Sequence, residues 1–303
     1  MDIKKRLNNL IACCKKAEKI CVIGHDNIDV DATLSGILLA KLLNFLGLDA
    51  DFEILQNVKH NLTHKIIYDL TNIDLNIYES PNENSLRSLV LVDHYKTTHE
   101  GTVIACIDHH PTTENNAYPF SYVRNCSATA FMIYELMEAA NYPISADDAK
   151  LIIVSMMVDT VSFRSSKTIS KEVEAAKALA TKFNLDYDYL EKYCLCLTPI
   201  ESMSIAEIVS NGGKKYTYNG HSVTSAYLQL YGMPDKISLN DWLHTLKLAV
   251  CNGIEMAVFI IFDLKNCITY EYRITLNSFE EIAHKGILSR GKDIMPKIEA
   301  IFN

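Results

Sequence analysis

The sequence predicts an α/β fold: a parallel-sheet N-terminal domain with helices on both faces, plus a smaller mixed α+β C-terminal domain. Three observations carry that prediction. Short apolar runs alternate with segments of helical period over residues 1–190, hairpin signals replace them afterwards, and acidic and imidazole side chains gather where apolar runs end. Strand and helix in alternation imply parallel pairing through right-handed crossovers. Open sheets of that kind place their sites outside the carboxyl ends of the strands, so polar residues clustered there are expected to converge.

Residues 3–17 read as an opening helix, 19–24 as a strand, and 32–47 (ATLSGILLAKLLNFLG) as a helix closed by Gly47. Residues 51–55, 89–92 and 103–107 read as further strands, with helices near 127–140, 146–158 and 170–183. After Tyr189 the pattern changes: LEKYCLCLTPIESMSIAEIV reads as a helix, a break at Thr198-Pro199, and a second helix capped by Ser202 or Ser204. In KKYTYNGHSVTSAYLQL, Asn219-Gly220 joins two alternating runs as a hairpin turn. MAVFIIFDL and CITYEYRIT read as two more strands, 278–283 as a helix, and 294–302 as a closing helix. The boundary is expected near 190–200, which divides the chain into 1–190 and 191–303.

The 303 residues carry 37 acidic against 29 basic side chains and no polybasic tract, so duplex nucleic acid is not an expected partner. A small anionic substrate stays compatible, because cations and a few local Arg or Lys can invert the field inside an acidic protein. No apolar run of about 18 residues is present to span a membrane. The opening MDIKKRLNNLIACCKK lacks the apolar core of a secretory signal. Cysteines at 13, 14, 21, 106, 126, 194, 196, 251 and 267 form no disulfide framework, which points to a reduced, cytoplasmic setting. The pair Cys194-x-Cys196 reads as two positions of a half-buried helix.

Four clusters carry the chemistry. Ile107-Asp108-His109-His110-Pro111 closes one apolar run; His25/Asp29/Asp31 follow ICVIG, Asp93/His94 follow SLVLV, and Asp159 follows an apolar run in MMVDTVSF. Carboxylates at the ends of separate strands would be costly unpaired and could bridge two ions. Mixed imidazole and carboxylate ligation favours Mn²⁺, Co²⁺ or Mg²⁺ over structural zinc. Taken singly, Asp29 and Asp31 could instead cap the following helix, and Asp93 and Asp159 could cap turns. Adjacent side chains on an extended segment point opposite ways, so one of His109 and His110 can bind metal while the other faces substrate. Asp108 is placed to fix an imidazole tautomer. Far along the chain, Ser289-Arg290-Gly291-Lys292 forms a small basic cluster suited to phosphate, with Arg164 in SFRSSKT a second candidate.

With these motifs in hand, the chain resembles the DHH phosphoesterase superfamily. GHDNIDVDA is similar to that family's GHxNPDxDA pattern, with Ile28 where Pro is usual; IDHHP and VDTVSFRSSKT are similar to its DHH and DT-x-x-F-[KR]-S elements. LVDHY, LSRGKDIMPKIEAIF and MSIAEIVSNGGKKYTYNGHSV resemble segments of the manganese-dependent, family II inorganic pyrophosphatases with a DHHA2-type C-terminal domain. The Gly-rich ending of the oligoribonuclease and pAp phosphatase branch is missing.

The resemblance implies a metal-binding catalytic domain over 1–190 and a substrate-binding domain over 191–303. It implies His25 and Asp29 on one Mn²⁺, Asp31 and His109 on another, and Asp93 and Asp159 shared. His110, Arg290, Lys292 and Arg164 are then the substrate contacts. The implied reaction is hydrolysis of pyrophosphate by a water bridging two Mn²⁺ ions, in a homodimer formed through the first domain. Tyr95 replaces the usual Asn, Gly291 stands where a basic residue is usual, and no Lys occurs over 195–203. These departures leave room for polyphosphate, pAp or a short oligonucleotide as substrate, or for a metal-binding regulatory protein without turnover.

Overall fold

The computed structural model describes the whole chain except residues 1, 26–28, 55–61, 80–86, 111–117, 166–167, 196–199, 201–202 and 252. Two compact units emerge: Met1–Phe163 with Lys167–Leu190, and Glu191–Asn303 with the short insertion Arg164–Ser166.

The N-terminal unit is built on five parallel strands in the order β2-β1-β3-β4-β5: β1 Ile20–Ile23, β2 Ala50–Glu53, β3 Ser88–Val92, β4 Thr102–Asp108 and β5 Phe120–Val123. Apart from Ser88, β1 and β3 are buried throughout, as strands covered on both faces must be, which explains why they read as continuous apolar runs. The order reverses between β1 and β3, so the carboxyl ends of these two strands open onto the topological switch point.

With this sheet go α1 (Ile3–Cys14), α2 (Val30–Phe45), α3 (Leu62–Thr71), α4 (Thr129–Ala139), α5 (Ala146–Thr160) and α6 (Ser170–Lys182), while α7 (Tyr187–Leu195) runs through the Leu190–Glu191 boundary. Helix α2 is buried along most of its length, consistent with its largely apolar sequence. Gly36 lets it approach β2, since a Cβ there would lie 2.3 Å from the Phe52 ring. Ser145 and Asp148 form a capping box at the start of α5, and Asp148 also accepts from Lys41 Nζ of α2 at 2.7 Å. No described helix is long and apolar enough to cross a membrane.

The C-terminal unit carries a second five-stranded sheet in the order β10-β9-β8-β7-β6: β6 Lys214–Tyr218, β7 His221–Leu230, β8 Met256–Asp263, β9 Ile268–Ile274 and β10 Phe279–Lys285. Here β7 and β8 are parallel, and the other pairs are antiparallel. Asn219 and Gly220 both adopt positive φ, 48° and 87°, as a tight hairpin turn of the expected kind requires. Helices α8 (Ile205–Ser210, capped by Ser204) and α9 (Lys236–Cys251) pack on one face, burying Ile208, Trp242 and Leu246 against Leu228, Phe259 and Tyr272. The chain ends in α10 (Met295–Glu299).

The fold class agrees with the sequence expectation, and several elements differ from it. Residues 279–283 form part of strand β10 instead of a helix, because register pairing with β9 from Phe279↔Ile274 to Lys285↔Ile268 outweighs the helical preference of Glu and Ala there. A turn closed by Thr275 and Ser278 sets that register. Helices α3 and α9 and strand β5 went unanticipated. The Thr198-Pro199 break, Ser202, Cys196 and Pro111 lie outside the described residues.

Burial pushes the Asp148 carboxyl up, but the Lys41 ammonium and the Ser145 bonds outweigh it and hold the group below the usual carboxylate range. A depressed folded pKa means stability that is present above the unfolded value and lost as pH falls through the folded one. Asp148→Asn is expected to lower unfolding free energy by about 1–3 kcal/mol near neutrality. The gap from wild type should shrink below about pH 4; urea titrations across pH check it.

Candidate metal centre

His25 follows β1, and Asp29 is the N-cap of α2. The two oxygens of Asp29 divide their work: Oδ1 accepts from the Ala32 amide at 2.8 Å, and Oδ2 lies 2.9 Å from His25 Nε2. The cap therefore uses only one of the two oxygens. Asp31, in the first turn of α2, is 3% exposed and saturated with donors: the Thr129 amide at 2.7 Å, the Ala130 amide at 3.1 Å, and the hydroxyls of Ser35 and Ser155. It thereby satisfies the first amides of α4, whose N-cap residue, Ala128, has no side chain able to do so.

Asp93 follows β3 with φ 66°, a left-handed conformation that costs a non-glycine residue energy and marks functional positions. Its two oxygens face opposite imidazoles. Oδ2 lies 3.6 Å from His25 Nε2, and Oδ1 lies 3.3 Å from His109 Nε2 and 3.7 Å from His110 Nδ1. Two triads of potential metal ligands share it: His25/Asp29/Asp93 and Asp93/His109/His110. His109 Nε2 also lies 3.8 Å from Asp159 Oδ2 and 3.9 Å from Asp31 Oδ2.

The other five expected metal ligands thus gather around Asp93. One expectation needs correcting: Asp159 sits in the last turn of α5, not at a strand end, and reaches the cluster from a helix terminus. Beyond it Val161, Ser162 and Phe163 adopt φ of 56°, 48° and 61°, a left-handed run of three non-glycine residues.

The two histidines of the DHH segment differ in burial, although their rings lie 4.3 Å apart instead of pointing opposite ways. His109 is buried and its Nδ1 faces the Cys126 carbonyl at 3.1 Å. A carbonyl only accepts, so Nδ1 carries a proton. That Nε2 is buried without a hydrogen-bond partner, among carboxylate oxygens that are themselves acceptors. Such an arrangement of acceptors fits a divalent cation, and the nitrogen and oxygen donors fit a hard or borderline one. His110 is half exposed, and Asp108 Oδ1 accepts from its backbone amide and faces its Nδ1, each at 2.9 Å. Burial and the nearby Asp31, Asp29 and Asp159 carboxylates push Asp93 well above the usual carboxylate range. Asp31 goes the other way: burial pushes it up, but His109 and its four donors hold it low.

Sequence reasoning missed the supporting residues. Cys126 orients His109, Thr129 anchors Asp31 and Asp93, and Glu172 holds the Ser127 amide with both oxygens. Ser35, four residues after Asp31 in a helix, was the one legible signal.

Arg164, Arg290 and Lys292 belong to the C-terminal unit. Arg290 donates from Nη1 to the Gly212 carbonyl and stacks on the Tyr227 ring, 5.0 Å from its centroid. The Lys292 amide donates to Ser289 Oγ, and Arg164 pairs with Glu191 at 3.3 Å. Gly212 has φ 58°, and a Cβ there would lie 2.3 Å from the Tyr227 ring.

Fold and cluster together define an α/β protein with imidazole and carboxylate ligands gathered at the carboxyl edge of a parallel sheet. Residues 19–161 match the DHH family, N-terminal domain. The manganese-dependent inorganic pyrophosphatase of Bacillus subtilis is 24% identical, over 92% of this chain and 97% of that protein. A protein of Methanococcus jannaschii, provisionally named a family II inorganic pyrophosphatase, superposes with a TM-score of 0.65 at 22% identity, over 94% of this chain and 99% of that one. That superposition establishes a shared fold.

Two outcomes follow from this geometry. Asp93→Asn keeps the shape and tolerates the left-handed backbone, so the cation-free protein should gain about 1 kcal/mol while losing the thermal stabilisation that divalent cations confer. Melting curves with and without added cation check both. Gly212→Ala should destabilise the C-terminal unit by about 1–3 kcal/mol through strain and overlap with Tyr227. Fluorescence of Trp242, the single tryptophan, reads that unit alone.

Proposed function

We propose that this protein is a metal-dependent phosphohydrolase that cleaves inorganic pyrophosphate to phosphate with two Mn²⁺ ions. The observation that carries the reading is Asp93, whose two oxygens are divided between the His25 and His109 poles of one cluster. The name of the Bacillus subtilis relative supports both the metal and the substrate. His25 and Asp29 would hold one ion, Asp31 and His109 the other, with Asp93 and Asp159 shared. When bound, such ions lower the pKa of water towards about 7 and offset phosphoryl charge.

The chain's own residues do the remaining work. Asp108 holds the His110 ring by its Nδ1–H, which leaves Nε2 to face a phosphoryl oxygen or leaving group. Arg290, Lys292 and Arg164 supply positive charge to the phosphates, with Arg290 fixed in advance by Gly212 and Tyr227. Residues 1–190 then form the catalytic domain and 191–303 the substrate-binding one, and a homodimer completes the reading.

A second reading keeps the metals and changes the substrate to polyphosphate, pAp or a short oligonucleotide. It is favoured by the engagement of Arg164 with Glu191 and of Arg290 with Gly212, which leaves fewer cations for a compact tetra-anion. Phosphate release from pyrophosphate, polyphosphate, pAp and dinucleotides on one Mn²⁺-loaded preparation decides between them. Pyrophosphate should turn over fastest, and Asp159→Ala should lose at least a hundredfold in rate. Inactivity on pyrophosphate with turnover of another substrate overturns the first reading; Asp159→Ala at full activity overturns both.

A further inference from the structure

We infer that Thr129 is the positioning residue that divides Asp93 between two cations, an inference that rests on the two-cation reading above. Thr129 is fully buried at the first position of α4. Its hydroxyl donates to Asp93 Oδ1 at 2.9 Å while its amide donates to Asp31 Oδ2 at 2.7 Å. One residue on one helix therefore touches a candidate ligand from α2 and another from the end of β3.

The torsion that orients a carboxylate plane is soft, with a broad range of accessible angles. An unanchored Asp93 could turn both oxygens towards a single cation. With Oδ1 held by the Thr129 hydroxyl on the His109 side, Oδ2 is directed to His25, 3.6 Å away. The left-handed backbone at Asp93 sets the origin of the side chain, and the hydroxyl sets its final rotation. The anchor is itself stiff: a β-branched side chain restricts χ1, and Asp31 holds the amide beneath it.

The alternative is that Thr129 merely fills space where α4 begins. Substitution separates the two, because Thr129→Val keeps the shape and removes the donor, whereas Thr129→Ser keeps the donor and removes the methyl. The full-length chain, freed of metal, is titrated with Mn²⁺ alone by calorimetry, with free Mn²⁺ followed by electron paramagnetic resonance. Melting of each metal-free form is recorded alongside.

Wild type should take up two ions. Thr129→Val should keep one binding step and weaken the other at least tenfold, as loss of a ligand-orienting partner typically does. Thr129→Ser should restore the wild-type isotherm. Two unchanged steps in Thr129→Val, or a Thr129→Ser isotherm as weak as that of Thr129→Val, would overturn the inference. A wild type that binds a single ion removes the two-cation reading and this inference with it. Should Thr129→Val not fold, Thr129→Ala against Thr129→Ser makes the same comparison.

Discussion

Everything in the N-terminal unit is arranged around one costly placement: the Asp93 carboxylate, 2% exposed, in left-handed backbone, with three other carboxylates and three imidazoles within reach. Like charges gathered without solvent repel, and burial penalises each of them. The parallel sheet bears that cost because its hydrophobic strands hold the ends of β1, β3 and β4 at fixed spacing whatever projects from them. Local donors stabilise the charges: α4 gives two amides and a hydroxyl, and Ser35 and Ser155 give two more hydroxyls. Asp31 is thereby held ionised while Asp93 is pushed towards its neutral form, and divalent cations are the natural way to relieve the imbalance.

The two units solve different problems. The N-terminal one gathers anions and imidazoles at the edge of a sheet. The C-terminal one builds a cation platform, in which Arg290 lies across Tyr227 and Gly212 leaves room for that ring. Covalently they are joined more than once: five residues after Asp159 the chain enters the C-terminal unit at Arg164, returns, and enters again at Glu191. Ser165 forms a parallel bridge with Ile287, just ahead of Ser289 and Arg290. The left-handed run at Val161, Ser162 and Phe163 lies on the first of these crossings, so strain is stored where the chain leaves a candidate ligand.

Much of this was legible in the sequence, for identifiable reasons. Buried parallel strands leave continuous apolar runs, and polar residues at their ends stand out against them, so His25, Asp93 and His109 were conspicuous. Asp29 and Asp31 were readable as caps and as ligands, and Asp29 turned out to cap α2 with one oxygen and face His25 with the other. Asp159 was found for a partly wrong reason, since an apolar run ending in a carboxylate looks alike in a strand and in the buried helix α5. Strand β10 was misread because Glu and Ala carry helical preference, and only pairing with β9 discloses the strand. Thr129 and Cys126 gave no signal: they act through a hydroxyl, an amide and a carbonyl on residues far away in the chain, and such contacts leave no local pattern.

The most direct measurement is anomalous diffraction from crystals of the protein grown with Mn²⁺. The account predicts two manganese peaks flanking Asp93, one against His25 and Asp29 and one against His109 and Asp31, about 3.5–4 Å apart. A single peak, or manganese bound without contact to either oxygen of Asp93, would contradict it.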